Sequence, residues 1–322
     1  MHNTSSSMET LIQAAVFTAG LVILGLGAET MVRGSSTLAL KLGVRPIVVG
    51  LTVVAFGTSA PELVVSVIAS LADSPQVAIG NVIGSNIANV GLIVGLVALV
   101  SPITGGRSFL RMDMPALFLA FALLTVLSLD RTIGRLDGGI MFASLIGFVV
   151  FTYVTAGRRG SVEGEIPSEM SSTGKAIFLT LAGLVGLTVG ARMMVWAAIE
   201  IATKLGVSEM VIGATIVAIG TSLPELATSV VAVLKRQHDI GLGNVIGSNI
   251  FNICSILGIA PLIRPIPLER TTLFVHYPLM VGFSVVLLLM MLKRSNRISR
   301  PEGAILLAGF IAFLVFSFMF DQ

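Results

Sequence analysis

Residues 50–95 recur at residues 213–258 without a gap. The offset is a constant 163, and 25 of the 46 positions are identical. The first copy reads GLTVVAFGTSAPELVVSV and then GNVIGSNIANVGLIVG. The second reads GATIVAIGTSLPELATSV and then GNVIGSNIFNICSILG. Chance does not produce ungapped identity at this level, so the chain is a duplication. Whatever the first half folds into, the second half must fold into as well, and the two must pack as one molecule.

The surroundings of the repeat define the solvent. Of 322 residues, 55% are hydrophobic and only 11% charged, against about 25% charged in a soluble domain. So few charges cannot solvate a globule of this size, whereas a bilayer requires their absence. A membrane span needs about 20 mostly apolar residues. Ten such stretches are legible, at 10–33, 47–71, 77–100, 113–130, 137–156, 175–203, 209–234, 240–263, 272–292 and 301–319. The first reads as a helix of the mature chain, because Met1 to Thr10 lacks the basic segment of a signal peptide. The expected class is an all-α membrane protein of ten transmembrane helices. Each copy of the repeat belongs to a set of five. An odd number sends the second set in from the opposite side, so the two five-helix repeats are inverted. The expected division is a first repeat over 1–156, a linker loop over 157–174 and a second repeat over 175–322.

Lys and Arg in the loops orient the spans. With the N-terminus outside, thirteen fall on the inner side, from Lys41 and Arg45 to Arg297 and Arg300. Five fall outside: Arg131, Arg135, Lys204, Arg264 and Arg270. Both termini are therefore expected outside. Basic residues do not cluster with aromatics, so nucleic acid is not an expected partner. The single Cys254 excludes an intrachain disulfide. No mid-span His supplies the dyad an intramembrane hydrolase needs, so an enzyme is not expected.

The repeated motif carries the chemistry. Glu62 and Glu225 stand mid-span at matched positions, where a carboxylate is expensive and marks a functional site. Pro61 and Pro224 precede them. Each lacks an N–H and crowds the carbonyl four residues back, so the helix should open and expose carbonyls at Ala55 to Thr58 and at Ala218 to Thr221. At helical spacing Thr58, Glu62 and Ser66 share a stripe, as do Thr221, Glu225 and Ser229, with Ser59 and Ser222 alongside. On the following spans Asn81, Ser85 and Asn89, and again Asn244, Ser248 and Asn252, step by four. Every group offered is oxygen-bearing. That suits a hard cation such as Ca2+, which takes six to eight oxygens, or several Na+, and no thiolate or imidazole cluster invites a softer metal. Inverted repeats with Gly- and Pro-interrupted helices at matching positions point to a transporter with its site near the bilayer midplane.

GTSAPE with GNVIGSNIANVG, and GTSLPE with GNVIGSNIFN, resemble the two alpha-repeats of the cation/Ca2+ exchanger superfamily. The closest likeness is to its prokaryotic sodium/calcium exchangers, and it extends over the whole chain. The resemblance implies a five-plus-five inverted fold with a central group of ion sites. It also implies electrogenic exchange of Na+ for Ca2+ by alternating access, in which the long first and sixth spans slide across the remainder. Carried over by motif, Glu62 and Glu225 bind Ca2+ and Na+, and Thr58 and Thr221 add backbone oxygens. Ser59, Ser85, Ser222 and Ser248, with the Ala55 and Ala218 carbonyls, shape Na+ sites, while Asn89 and Asn252 complete the centre. The expected partners are these ions and the lipid bilayer, with no cofactor and no obligate protein partner.

In one respect the chain departs from the pattern: some relatives carry Asp where it has Asn252, which bears on ion number and on any role for H+ or K+. A Ca2+/H+ or K+-dependent Na+/Ca2+ exchanger of the same fold is the alternative reading. The former usually lacks the GTS-x-PE form seen here. Other features read as packing or solvation. Gly80 with Gly84 and Gly243 with Gly247 are spaced for close helix contact. Asn86 and Asn249 suit interhelical hydrogen bonds as well as ion contact. Glu29 is placed to pair with Arg33, and Asp113, Asp130 and Asp137 fall at span ends facing solvent.

Overall fold

A computed structural model describes residues 2–106, 108–156, 172–205, 218–293 and 296–320. Its helices are α1 (His2–Lys41), a broken pair α2 (Pro46–Thr58) and α3 (Ala60–Leu71), α4 (Gln76–Val100), α5 (Phe109–Leu127), α6 (Arg135–Val154) and α7 (Thr173–Lys204). There follow the short α8 (Ala218–Thr221), then α9 (Leu223–Leu234), α10 (His238–Ile263), α11 (Thr272–Met291) and α12 (Arg300–Phe320). Among the described residues, eight helices are long and apolar enough to cross a membrane, or nine if α2 and α3 count as one bent span. The chain is an all-helical membrane protein. The start of the expected seventh span, 209–217, lies outside the described residues, as does most of the expected linker.

Burial sorts the helices into a centre and a wall. The most apolar windows of α4 and α10 are 78% and 83% buried, against 22–33% for the other long spans. The repeated Gly-Asn-Val-Ile-Gly-Ser-Asn segments therefore form the middle of the molecule. Short side chains permit that position. A Cβ built on Gly243 would stand 2.9 Å from the Ile47 carbonyl, and one on Gly247 would stand 2.7 Å from the Leu51 carbonyl, so α10 and α2 touch backbone to backbone. The expected close contact thus exists at Gly243 and Gly247. Gly80 and Gly84 meet nothing within 4 Å among the described residues.

Local structure recurs at the offset of the duplication. Within α4 a wide i→i+5 turn spans Asn89–Val94, and within α10 one spans Asn252–Ile256. A second matched pair opens α5 (Phe109–Asp113) and α11 (Thr272–His276). Such turns insert an extra residue into the helical ladder and rotate the residues beyond it, and they concentrate at functional sites. Four two-residue strands, β1 (Ile103–Thr104), β2 (Thr132–Ile133), β3 (Ile266–Pro267) and β4 (Arg297–Ile298), pair β1 with β4 and β2 with β3, antiparallel. Each ribbon joins a loop of one half to a loop of the other.

Two surface expectations are corrected and a third is extended. α1 runs to Lys41 rather than ending near 33, because its last turns pack inward: Ala39 is fully buried, and the Ser35 and Thr37 hydroxyls bond back to the Met31 and Arg33 carbonyls. Glu29 also pairs with Lys235 at 2.7 Å, a partner 206 residues away, beside its electrostatic attraction to Arg33. Asp113 is fully buried in the wide turn that opens α5 rather than solvated.

Candidate functional site

The helix breaks where the sequence places Pro after Gly-Thr-Ser. Between α2 and α3 the axis turns by 42° at Ser59 (φ −81°, ψ 0°), and Ser222 between α8 and α9 holds nearly the same angles (φ −90°, ψ 5°). Each Glu falls in the first turn of the helix that restarts after its Pro. The ladder resumes at matched bonds, Leu63 N to the Ser59 carbonyl at 3.2 Å and Leu226 N to the Ser222 carbonyl at 3.0 Å. One expectation about the break is corrected: the Ala55 carbonyl is not freed, since it accepts the Ser59 N–H at 3.0 Å. The proline removes the donor at 61, while the residue two before it still closes the last turn. Ala218 begins α8 at the matching place.

Each Glu is anchored by an Asn of the next helix in its own half. Asn81 Nδ2 donates to the Glu62 carbonyl at 3.1 Å and to Ser66 Oγ at 2.9 Å. Asn244 Nδ2 donates to the Glu225 carbonyl at 3.3 Å and to Ser229 Oγ at 3.1 Å. The backbone of the broken helix is thereby pinned to the core helix, and the carboxylate is left to point elsewhere. The sequence stripes contain Asn81 and Asn244 but do not reveal this role. Its signal is the constant spacing of 19 residues from Glu to Asn in both copies.

The halves then interlock across the centre. Ser59 Oγ donates to Glu225 Oε1 at 3.1 Å, and Ser248 Oγ reaches the same oxygen at 3.5 Å. Thr58 Oγ1 donates to Asn244 Oδ1 at 3.0 Å and lies 3.4 Å from Ser248 Oγ. Asn89 Nδ2 donates to Asn249 Oδ1 at 2.9 Å, making Asn249 an interhelical acceptor, whereas Asn86 bonds within its own helix to the Val82 carbonyl. Ser85 donates along its own helix to Asn81 Oδ1 at 3.4 Å. Ser222 stands within electrostatic reach of Glu62 without closing a bond of normal geometry. Thr221 is only half-buried and lines a cleft with Pro61 and Arg192, unlike the fully buried Thr58.

Glu62, Glu225, Asn89 and Asn252 are at most 1% exposed. Both oxygens of Glu62, Oε2 of Glu225, Oδ1 of Asn89, Oδ1 of Asn252 and the Ser222 hydroxyl have no hydrogen-bond partner among the described residues. Two carboxylates facing each other in a buried centre demand positive charge, and no Lys, Arg or His bonds to either among the described residues. Nor do three His, Cys, Asp or Glu side chains converge there. The donor set is therefore two carboxylates among neutral oxygens, which fits a hard, exchangeable cation rather than a resident transition metal.

The sodium/calcium exchanger protein family model matches residues 12–154 and 175–319. The chain belongs to that family. It is 36% identical over 338 residues to the sodium/calcium exchanger MaX1 of Methanosarcina acetivorans, covering 93% of this chain and 96% of that protein. It is also 36% identical over 312 residues to the inner membrane protein YrbG of Escherichia coli K12, covering 94% and 96%. Among solved structures, the sodium-calcium exchanger NCX_Mj superposes with a TM-score of 0.82 at 34% identity, over 94% of this chain and 98% of that one. This member of the family is thus matched along both halves, and the matched segments include every residue of the twin-Glu centre.

Proposed function

We propose that the chain exchanges Na+ for Ca2+ across a cell membrane, with the twin-Glu centre as the shared ion site. The observation that carries this reading is the set of unpartnered buried oxygens around Glu62 and Glu225, offered by both halves of a duplicated chain. Two carboxylates balance one Ca2+. The same oxygens, divided among smaller charges, balance Na+. Ca2+ takes Glu62 and Glu225 with backbone oxygens at Thr58 and Thr221. Ser59, Ser85, Ser222 and Ser248 serve Na+ with the Ala55 and Ala218 carbonyl oxygens, while Asn89 and Asn252 complete the centre. No cofactor takes part.

In this reading there are ten spans in two inverted repeats, 1–156 and 175–322, joined by the 157–174 linker, with both termini outside. The recurrence of wide turns and helix breaks at a constant offset supports the repeat, and the excess of inner Lys and Arg supports the orientation. Alternating access comes from α1 and α7 moving as a pair across the rest. Exchange of several Na+ for one Ca2+ carries net charge. The deciding experiment is Ca2+ uptake into proteoliposomes under an imposed Na+ gradient, with and without a pH gradient. Uptake that follows Na+ alone supports the proposal. Uptake that follows only the pH gradient hands the case to Ca2+/H+ exchange.

A further inference from the structure

The duplication reaches beyond the repeated motif into the two longest helices. GAETMV at 27–32 on α1 matches GARMMV at 190–195 on α7, again at an offset of 163, and the one charged position is reversed: Glu29 in the first copy, Arg192 in the second. A second reversal stands just past the end of each helix that bears a central Glu. The turn after α3 carries Asp73, and the turn after α9 carries Lys235 and Arg236. The two turns are built alike. Asp73 and Arg236 hold φ of 62° and 60°, and Ser74 N and Gln237 N bond back to the Ala69 and Ala232 carbonyls at 2.9 and 2.8 Å. One half thus sets an acid on the long helix and a base on the turn, and the other sets a base on the long helix and an acid on the turn. Both signs change between the copies, and complementarity survives.

Only one of these pairs is closed in this structure. Glu29 on α1 meets Lys235 at 2.7 Å, and Thr228, on the stretch of α9 between Glu225 and that pair, is fully buried. Its match Val65 is 39% exposed. Val65 lines a cleft of about 300 Å3 with Pro61 and Val64 on α3 and Arg192 on α7, while Asp73 pairs with Arg264. From Val65 to Asp73 is eight residues, roughly 12 Å at 1.5 Å per residue. α1 and α7 touch backbone to backbone at their glycines and shift as one body. With the repeats inverted, the two turns lie on opposite sides of the membrane. A shift that carries Arg192 toward Asp73 therefore carries Glu29 away from Lys235, so the two pairs exclude each other.

We propose that these charges are alternating latches: Glu29 with Lys235 holds the inner side shut in the conformation described, and Arg192 with Asp73 holds the outer side shut in the other. The inference rests on the exchange reading, with its inverted repeats and its moving α1–α7 pair. The test places a cysteine at Val65, with the buried Cys254 as a silent background. Its rate of modification by a water-soluble maleimide is followed on full-length protein in nanodiscs, where both faces are reachable. Lys235→Glu sets two acids at the inner latch and should slow labelling. Adding Arg192→Glu sets two acids at the outer latch and should speed it again. Adding Asp73→Arg to both rebuilds the outer pair with its signs exchanged and should slow it once more. Each step should reach up to about fivefold, the scale of one exposed ion pair. General loosening would instead speed labelling at every step, and that result, or equal rates throughout, would overturn the latches. Na+-driven Ca2+ uptake by the wild type separates the two readings. Alternating rates without uptake would overturn exchange and leave the latches standing, whereas uptake with equal rates would overturn the latches alone.

Discussion

At the scale of single residues, Asn81 and Asn244 perform the same task in the two halves. Each donates to a Glu carbonyl and to a Ser hydroxyl below it. Removing the amide strands two buried acceptors, at about 1–3 kcal/mol. Asn244→Ala should accordingly lower the melting temperature by several degrees and reduce transport, while Asn244→Asp, which keeps the shape but removes the donor, should do no better. A thermal shift equal to wild type for both would contradict the pinning role. Asn252 tests the charge count instead. A third carboxylate beside Glu62 and Glu225 needs one more positive charge, so Ca2+ uptake by Asn252→Asp should fall at mildly acidic pH where wild type does not. Coincident pH profiles would place Asn252 outside the site. Much of this centre was legible because a mid-span Glu has so few structural excuses, and it occurs twice. Ala55 was not, because a proline's missing donor is written in sequence while the bond its neighbour Ser59 still makes is not. Glu29 was read only in part for a similar reason: Arg33, four residues away, is visible in sequence, and Lys235 is not.

At the scale of elements, the seam between α1 and α7 is set by glycine. Gly20, Gly27 and Gly34 stand seven apart on α1 and meet Gly190, Gly183 and Thr180 on the antiparallel α7. A Cβ on Gly27 would lie 2.6 Å from the Leu187 nitrogen, and one on Gly183 would lie 2.4 Å from the Met31 nitrogen. In lipid, such contact replaces the hydrophobic drive that packs helices in water. Gly27→Leu should separate the pair, costing about 1–3 kcal/mol or more, and should abolish transport. Gly25→Leu is the control, since a Cβ there meets nothing within 4 Å. Equal melting temperatures and uptake in the two variants would contradict a tight seam. The spacing of the glycines is legible in sequence, but which helix they meet is not. The same limit held at Asp113, where span-end position suggested solvent and the wide turn that opens α5 buries the side chain.

At the scale of the whole molecule, electrogenic exchange gives a signed expectation. In vesicles loaded with Na+ and given external Ca2+, several Na+ leave for each Ca2+ that enters, so net positive charge moves out. An inside-positive potential set with valinomycin should therefore speed uptake and an inside-negative one slow it, with about 2.3 kcal/mol available per charge per 100 mV. Indifference to potential would mean electroneutral exchange. The central claim is that two matched carboxylates hold the transported Ca2+. Replacing either by Gln keeps shape and a carbonyl oxygen but leaves half the ion's charge unbalanced where water cannot screen it. The most direct measurement is Na+-driven Ca2+ uptake by Glu62→Gln and Glu225→Gln, each purified as monodisperse protein, beside Glu29→Gln, whose carboxylate faces Lys235 and Arg33 away from the centre. The account predicts near-complete loss in the two mid-span variants and substantial activity in the third; near-normal uptake in both mid-span variants would contradict it.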